Sequence, residues 1–252
     1  MPESAVPSEP PPGNRSVARA LAILELLART QGSLGLAEIA KAQELPKSSV
    51  LSLLRALAAA SFVRLDEDGR YLLGIRSFEV GSAYLRQMTP LREVEAELRH
   101  LTEALAVTSH FAVIQGEDVV YLAKHDPPQG FIRLASSLGA RLPATSTAVG
   151  LAQLAYRQKE VAARWPHFAP VLQRVRAVGY AVDSGSTALG IQCVAAPVFD
   201  GSGCCGAVGV SYLQQGAPEI DIVAAAVADA ARSASGRLCG IVPSDLSSGA
   251  ES

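Results

Sequence analysis

The chain's 252 residues, 49% hydrophobic and 18% charged, are enough for one large or two modest domains that fold without disulfide staples. No apolar run approaches the ~18–20 residues of a membrane span, and the first residues lack the basic and apolar regions of a signal peptide, so a cytoplasmic protein is expected. The net charge of −2 argues against nucleic acid as a partner, yet residues 13–76 hold nine Lys/Arg against six Asp/Glu, which leaves −5 for the remainder. A mildly basic segment on an acidic body is the balance expected of a protein with one DNA-facing end.

Residues 1–12 are a Pro/Ser/Glu stretch that cannot bury a core, and a disordered tail is predicted there. Val17, Ala20, Leu21, Leu24, Leu27 and Ala28 then trace an amphipathic helix, and Leu36, Ile39 and Ala40 mark a short second one. After Pro46, which suits a first helical turn, Val50, Leu53, Leu54 and Leu57 form one apolar face. Ser48, Ser52, Arg55 and Ala59 project from the other side, with Lys47 near the start. An ordinary αα-hairpin and a helix-turn-helix share this pattern, and the flanks favour the second. Phe62–Leu65 and Arg70–Leu73 read as strands around Asp66-Glu67-Asp68-Gly69, a hairpin signal. Three helices and a hairpin make a winged helix-turn-helix, assigned to residues 13–76.

Phe78, Gly81, Tyr84, Leu85 and Met88 recur at helical spacing in a linker helix, residues 77–89. That stripe pairs with a second copy or packs on its own wing. A second domain follows at 90–240, with a short tail at 241–252. Leu91, Val94, Leu98, Leu101 and Leu105 give its first helix, and Phe111–Gln115 with Val119–Lys124 a hairpin. Phe131–Ala135 reads as a strand, Arg141–Ser146 as a loop, and Thr147–Tyr156 and Val171–Val178 as helices. Tyr180-Ala181-Val182 is a strand, and Ile191–Phe199 and Cys205–Leu213 join through Asp200-Gly201-Ser202-Gly203. The final helix spans about Pro218–Leu238, with Ile220, Val223, Ala224 and Val227 inward. Without regular βαβ alternation, the expected class is α+β with an antiparallel sheet flanked by helices.

The Ser16-Val17-Ala18-Arg19-Ala20-Leu21 opening, the Leu45-Pro46-Lys47-Ser48-Ser49-Val50 turn and Tyr71-Leu72-Leu73-Gly74 resemble the DNA-binding domain of IclR-type bacterial regulators. Gly139-Ala140-Arg141-Leu142-Pro143, Thr147-Ala148-Val149-Gly150, Gly179-Tyr180-Ala181-Val182-Asp183 and Cys193–Asp200 are similar to that family's effector domain. The resemblance implies a GAF-like sensor fold and a transcriptional regulator. Its partners would be a double-stranded DNA operator, a small-molecule effector and further copies of itself, as a homodimer or tetramer, with no membrane.

On the DNA side, Lys47, Ser48, Ser49, Ser52 and Arg55 are the groups able to reach bases or phosphates. Arg64 and Arg70 on the wing and Arg15 and Arg19 on the first helix suit backbone contact. The family usually carries arginine where this chain has Ser52, and threonine at Ser49. On the sensor side, the resemblance assigns Ala148, Val149, Asp183, Ile191, Cys193 and Ser211 to the effector pocket, with Asp183 near a mouth closed by Arg141–Gly150. The start of the Thr147 helix suits a carbonyl or anionic group. Three departures from the family pattern leave the effector open: Ser184-Gly185 after Asp183, Ala144-Thr145 in place of a histidine, and a short 150–179 segment.

No metal or cofactor is expected, since Cys193, Cys204, Cys205 and Cys239 lack zinc spacing. A thiol enzyme would need histidine beside a cysteine, and none of His100, His110, His125 and His167 belongs to a nucleophile signature. An enzyme is therefore not expected. A regulator whose second domain only oligomerises is the alternative to an effector-controlled one.

Overall fold

The computed structural model describes residues 14–128, 137–185, 189–215 and 218–240. The expected tails at 1–12 and 241–252 and the expected strand Phe131–Ala135 lie outside them. The chain divides into two units, Met1–Leu85 and Arg86–Ser252.

In the first unit, α1 (Arg15–Arg29), α2 (Leu36–Ala42) and α3 (Lys47–Ala59) are followed by the hairpin β1 (Val63–Leu65) and β2 (Tyr71–Leu73). Ile23, Leu27, Ile39, Ala40, Val50, Leu54 and Val63 form the buried core. The face assigned to α1 needs correction: Val17 and Leu21 are 58% and 54% exposed, while Ile23 is fully buried. Ile23 and Leu27 stand one turn apart and are the α1 side chains buried in this core. The α2–α3 turn closes with Glu44 at φ 52, its N–H on Lys41 O (3.2 Å) and that of Leu45 on Ala40 O (3.0 Å). That is a Schellman stop with a carboxylate residue where glycine is usual. Gly74 ends the wing against Ser61, whose carbonyl oxygen would lie 2.2 Å from any Cβ there. From Gly74 the chain enters α4 (Ile75–Gln87), the linker helix, in which no residue is buried.

The second unit begins with α5 (Thr89–Leu105) and pairs β3 (Thr108–Gln115) with β4 (Asp118–His125). Arg141–Pro143, expected as loop, is an edge strand β5 against β4, continued by a 3-10 turn, Ala144–Ser146. There follow α6 (Ala148–Leu154), α7 (Gln158–Arg164), a 3-10 turn Pro166–Phe168, and α8 (Ala169–Val178). The helix expected to run to Tyr156 thus ends sooner, and α7 lies between Tyr156 and Val171, a stretch in which no helix was read. The strands β6 (Ala181–Asp183), β7 (Ile191–Asp200) and β8 (Gly203–Leu213) precede α9 (Ile220–Arg237). The order β5-β4-β3-β8-β7-β6 makes one six-stranded antiparallel sheet. Ile220, expected inward on α9, is 36% exposed, whereas Val223, Ala224 and Val227 are buried.

Strand alternation sorts the helices. Ser109 points at α5, where its hydroxyl donates to Leu98 O (2.7 Å). Its neighbour His110 points to the opposite face, where a Cβ on Gly209 would meet both its ring and Val149 of α6. Pairing between β3 and β8 stops at Ala112, so the next backbone groups of β3 need other partners. The buried Gln153 of α6 supplies them, accepting from Ile114 N (2.9 Å) and donating to Ala112 O (3.2 Å). That bond pair ties α6 to the centre of the sheet.

Candidate DNA interface and effector site

The outer face of α3 is polar because its inner face is spent on the core. Val50 and Leu54 are fully buried, while Lys47, Ser48, Ser52 and Arg55 are exposed and Ser49 is half-buried. Arg15, Arg19 and Arg64 are exposed as well. Among the described residues none of these cations enters an ion pair, so each keeps its charge available for phosphate. Arg70 differs from them: its guanidinium is turned inward, to Ser33 O and Glu38.

In the second unit the register brings three assigned residues into one row. Asp183 of β6 is opposite Cys193 of β7, which is opposite Ser211 of β8. Thr108 of β3 extends the row and donates to Asp126 (2.8 Å), which also pairs with Lys124 (2.9 Å). Cys193 Sγ lies 3.1 Å from Ser211 Oγ. Asp183 is only 4% exposed, so it is not a surface turn residue. Ile191 lies two residues before Cys193 on the same face, and Ala148 and Val149 are buried in the first turn of α6. The Thr147 hydroxyl accepts from Gly150 N (3.1 Å) and so occupies one donor of that turn. Of the segment Arg141–Gly150, expected to close the site, β5 lies at the sheet edge opposite β6, while the start of α6 belongs to a helix that packs on β6, β7 and β8.

Two aromatic rings on this face were not singled out from the sequence. His110 and Tyr121 meet edge to face at 5.2 Å, and the buried His110 Nδ1 has no hydrogen-bond partner among the described residues. Burial, with a smaller push from Lys124, drives His110 down to about 4, so it is neutral at physiological pH. Burial raises the Tyr121 phenol and takes the Cys193 thiol up to about 11, the nearby Asp183 charge adding to both. The only sequence signal for His110 was a lone histidine inside an apolar strand, a pattern that a satisfied core histidine shares.

A tri-helical domain with a wing, a polar outer face on its third helix and unpaired cations, followed by an α+β domain with a buried polar row, defines a two-domain DNA-binding regulator. Residues 16–67 match the IclR helix-turn-helix domain, and residues 82–236 match the bacterial transcriptional regulator IclR C-terminal domain. The chain belongs to the IclR family of bacterial transcriptional regulators, with that family's helix-turn-helix domain in its first unit. It is 31% identical over 216 residues to the transcriptional repressor IclR of Escherichia coli, covering 78% of this chain and 79% of that one. An IclR transcriptional regulator from Alicyclobacillus acidocaldarius superposes with a TM-score of 0.76 at 26% identity, over 88% of this chain and 97% of that one. An IclR homologue from Microbacterium hydrocarbonoxydans complexed with 4-hydroxybenzoate gives 0.78 at 18% identity, over 89% and 99%. This last likeness is one of fold.

Proposed function

We propose that α3 enters the major groove with Lys47, Ser48, Ser49, Ser52 and Arg55 toward the DNA, while Arg15, Arg19 and Arg64 hold phosphates. The observation that carries this reading is the division of α3 into a fully buried stripe and an exposed polar face with an unpaired cation. Serine at position 52 offers a short hydroxyl where an arginine would reach a guanine, so base readout rests more heavily on Arg55. The effector site is the row Asp183, Cys193 and Ser211 with Ile191, Ala148 and Val149 around it. An ionised carboxylate only accepts hydrogen bonds, so Asp183 takes a hydroxyl or amine of the effector. The protein acts as a homodimer on two half-sites, joined through α4, whose Phe78 (70% exposed), Val80 and Tyr84 lack cover within the protomer.

A two-by-two experiment tests the assignment. The duplex is one selected by the wild type from a random pool, and the effector is a hit from a thermal-shift screen of organic acids, sugars, amino acids and aromatic catabolites. Arg55→Ala should cost roughly 1–3 kcal/mol at one base position, or flatten the log affinity–log salt slope by about one if the contact is to phosphate. Asp183→Ala should abolish the effector's influence on DNA affinity. A wild-type response from Asp183→Ala removes that residue from the site, and unchanged affinity for Arg55→Ala means α3 is oriented otherwise. A screen without hits favours a second domain that only oligomerises.

A further inference from the structure

The wing of this protein ends in an acidic turn. Asp66, Glu67 and Asp68 stand between Arg64 and Arg70, a sign of charge that phosphates repel. Arg70 is turned away from any such encounter. Its Nη2 donates to Ser33 O (3.0 Å) and to Glu38 Oε2 (2.7 Å). The same Glu38 oxygen accepts from Gly35 N (2.7 Å), so one carboxylate caps α2 and holds the wing. Asp66 Oδ1 accepts from the backbone N–H groups of Arg70 (2.8 Å) and Asp68 (3.0 Å). Beside these bonds Leu34 and Tyr71 exchange two backbone hydrogen bonds of 2.9 and 2.8 Å. The result is a closed circuit: α2 leads through its turn to α3, then to β1 and β2, and Arg70 returns to the start of α2.

We infer that Arg70 is a positioning residue for DNA recognition, locking the wing onto the start of α2 and thereby fixing how α3 is presented, without touching DNA. The inference rests on the DNA-binding function of the family and changes the part played by the wing. Arg64 remains its phosphate contact, and Arg70 becomes its internal brace. Loss of the brace frees the hairpin to swing against α2, which blurs the register of α3 on a specific site. Non-specific attraction survives, because the unpaired cations elsewhere are unchanged.

The test uses the full chain, the selected duplex and a mixed-sequence duplex of equal length, with affinities measured from roughly 50 to 300 mM salt. Stoichiometric titration gives the binding-competent fraction of each preparation, so that loss of folded protein is separated from loss of affinity. Arg70→Gln should weaken the selected duplex about tenfold or more, hold the mixed duplex within about twofold, and keep the wild-type salt slope. Glu38→Gln should reproduce this pattern, and the double variant should be no weaker than Arg70→Gln alone. Equal weakening of both duplexes with a slope shallower by about one makes Arg70 a phosphate contact and overturns the inference. So does a smaller competent fraction with unchanged affinity, or wild-type behaviour of Glu38→Gln. A wild type that enriches no duplex at all overturns the DNA-binding reading along with it, an outcome distinct from the other three.

Discussion

Cys193 Sγ and Ser211 Oγ face each other at 3.1 Å across adjacent strands, with Asp183 next in the same row. Burial takes the thiol up to about 11, against a lowering by the Ser211 hydrogen bond. At pH 8 only about one thiol in a thousand is then ionised, and thiolate is the reactive form. Iodoacetamide at pH 8 should modify the exposed Cys239 and leave Cys193 intact, with Cys193 labelling rising as pH approaches 11. Peptide mass spectrometry after timed labelling checks this, and equal rates at the two cysteines would refute the buried, neutral thiol.

His110 supplies a pH dependence of known sign. Its folded-state pKa lies near 4 against an ordinary 6.5, so the unfolded chain binds a proton more readily. Stability is therefore complete above about pH 6.5 and falls between there and 4, by about 3 kcal/mol for a shift of this size. Trp165, the single tryptophan, packs on the core of the second unit and reports its unfolding. Urea curves at pH 7 and 4.5 should show a loss in the wild type that His110→Asn lacks. Parallel losses in the two proteins would remove His110 as the cause.

Two glycines should respond to alanine with opposite sign. A Cβ on Gly150 would stand 2.0 Å from Ala144 O and 2.5 Å from Ala144 Cα, atoms of backbone that cannot rotate away. Gly150→Ala should destabilise the second unit by about 3 kcal/mol or more. Gly236, near the end of α9, has open space around it, and alanine there should stabilise by up to about 1 kcal/mol. The same Trp165 transition measures both changes.

Glu44 holds φ 52 in the α2–α3 turn, a conformation that glycine adopts without the steric penalty of a Cβ. Glu44→Gly should stabilise the first unit by about 1 kcal/mol. Hydrogen exchange of the α2 and α3 amides in the full chain gives the measurement, and faster exchange in the variant would count against it.

The winged helix was legible in the sequence because its information is local. The spacing of Val50, Leu53, Leu54 and Leu57 fixes one face of a helix, and Asp68-Gly69 between short apolar runs fixes a hairpin. Even there the face read for α1 was wrong at Val17 and Leu21. Residues two apart differ by about 200° around a helix, so Leu21 and Ile23 cannot both face inward, and the packing of the unit decides for Ile23.

In the second unit the long strands β7 and β8 followed from continuous apolar runs about a four-residue turn. The role of Arg141–Pro143 did not, because a three-residue edge strand carries no periodicity of its own and exists only through its pairing with β4.

By itself, then, the sequence determined the two-domain α+β organisation, the helix-turn-helix and which side chains α3 turns outward, all read within a few residues of chain. Only the tertiary structure decided that Asp183, Cys193, Ser211 and Thr108 form one row, and that Arg70 points at Glu38 rather than outward. The reason is distance along the chain. Strand register and a guanidinium's choice of partner depend on residues 10 to 103 positions away in the row, and 32 away for Arg70. No local pattern encodes that choice; it is fixed when the packed elements leave each polar group one place to go.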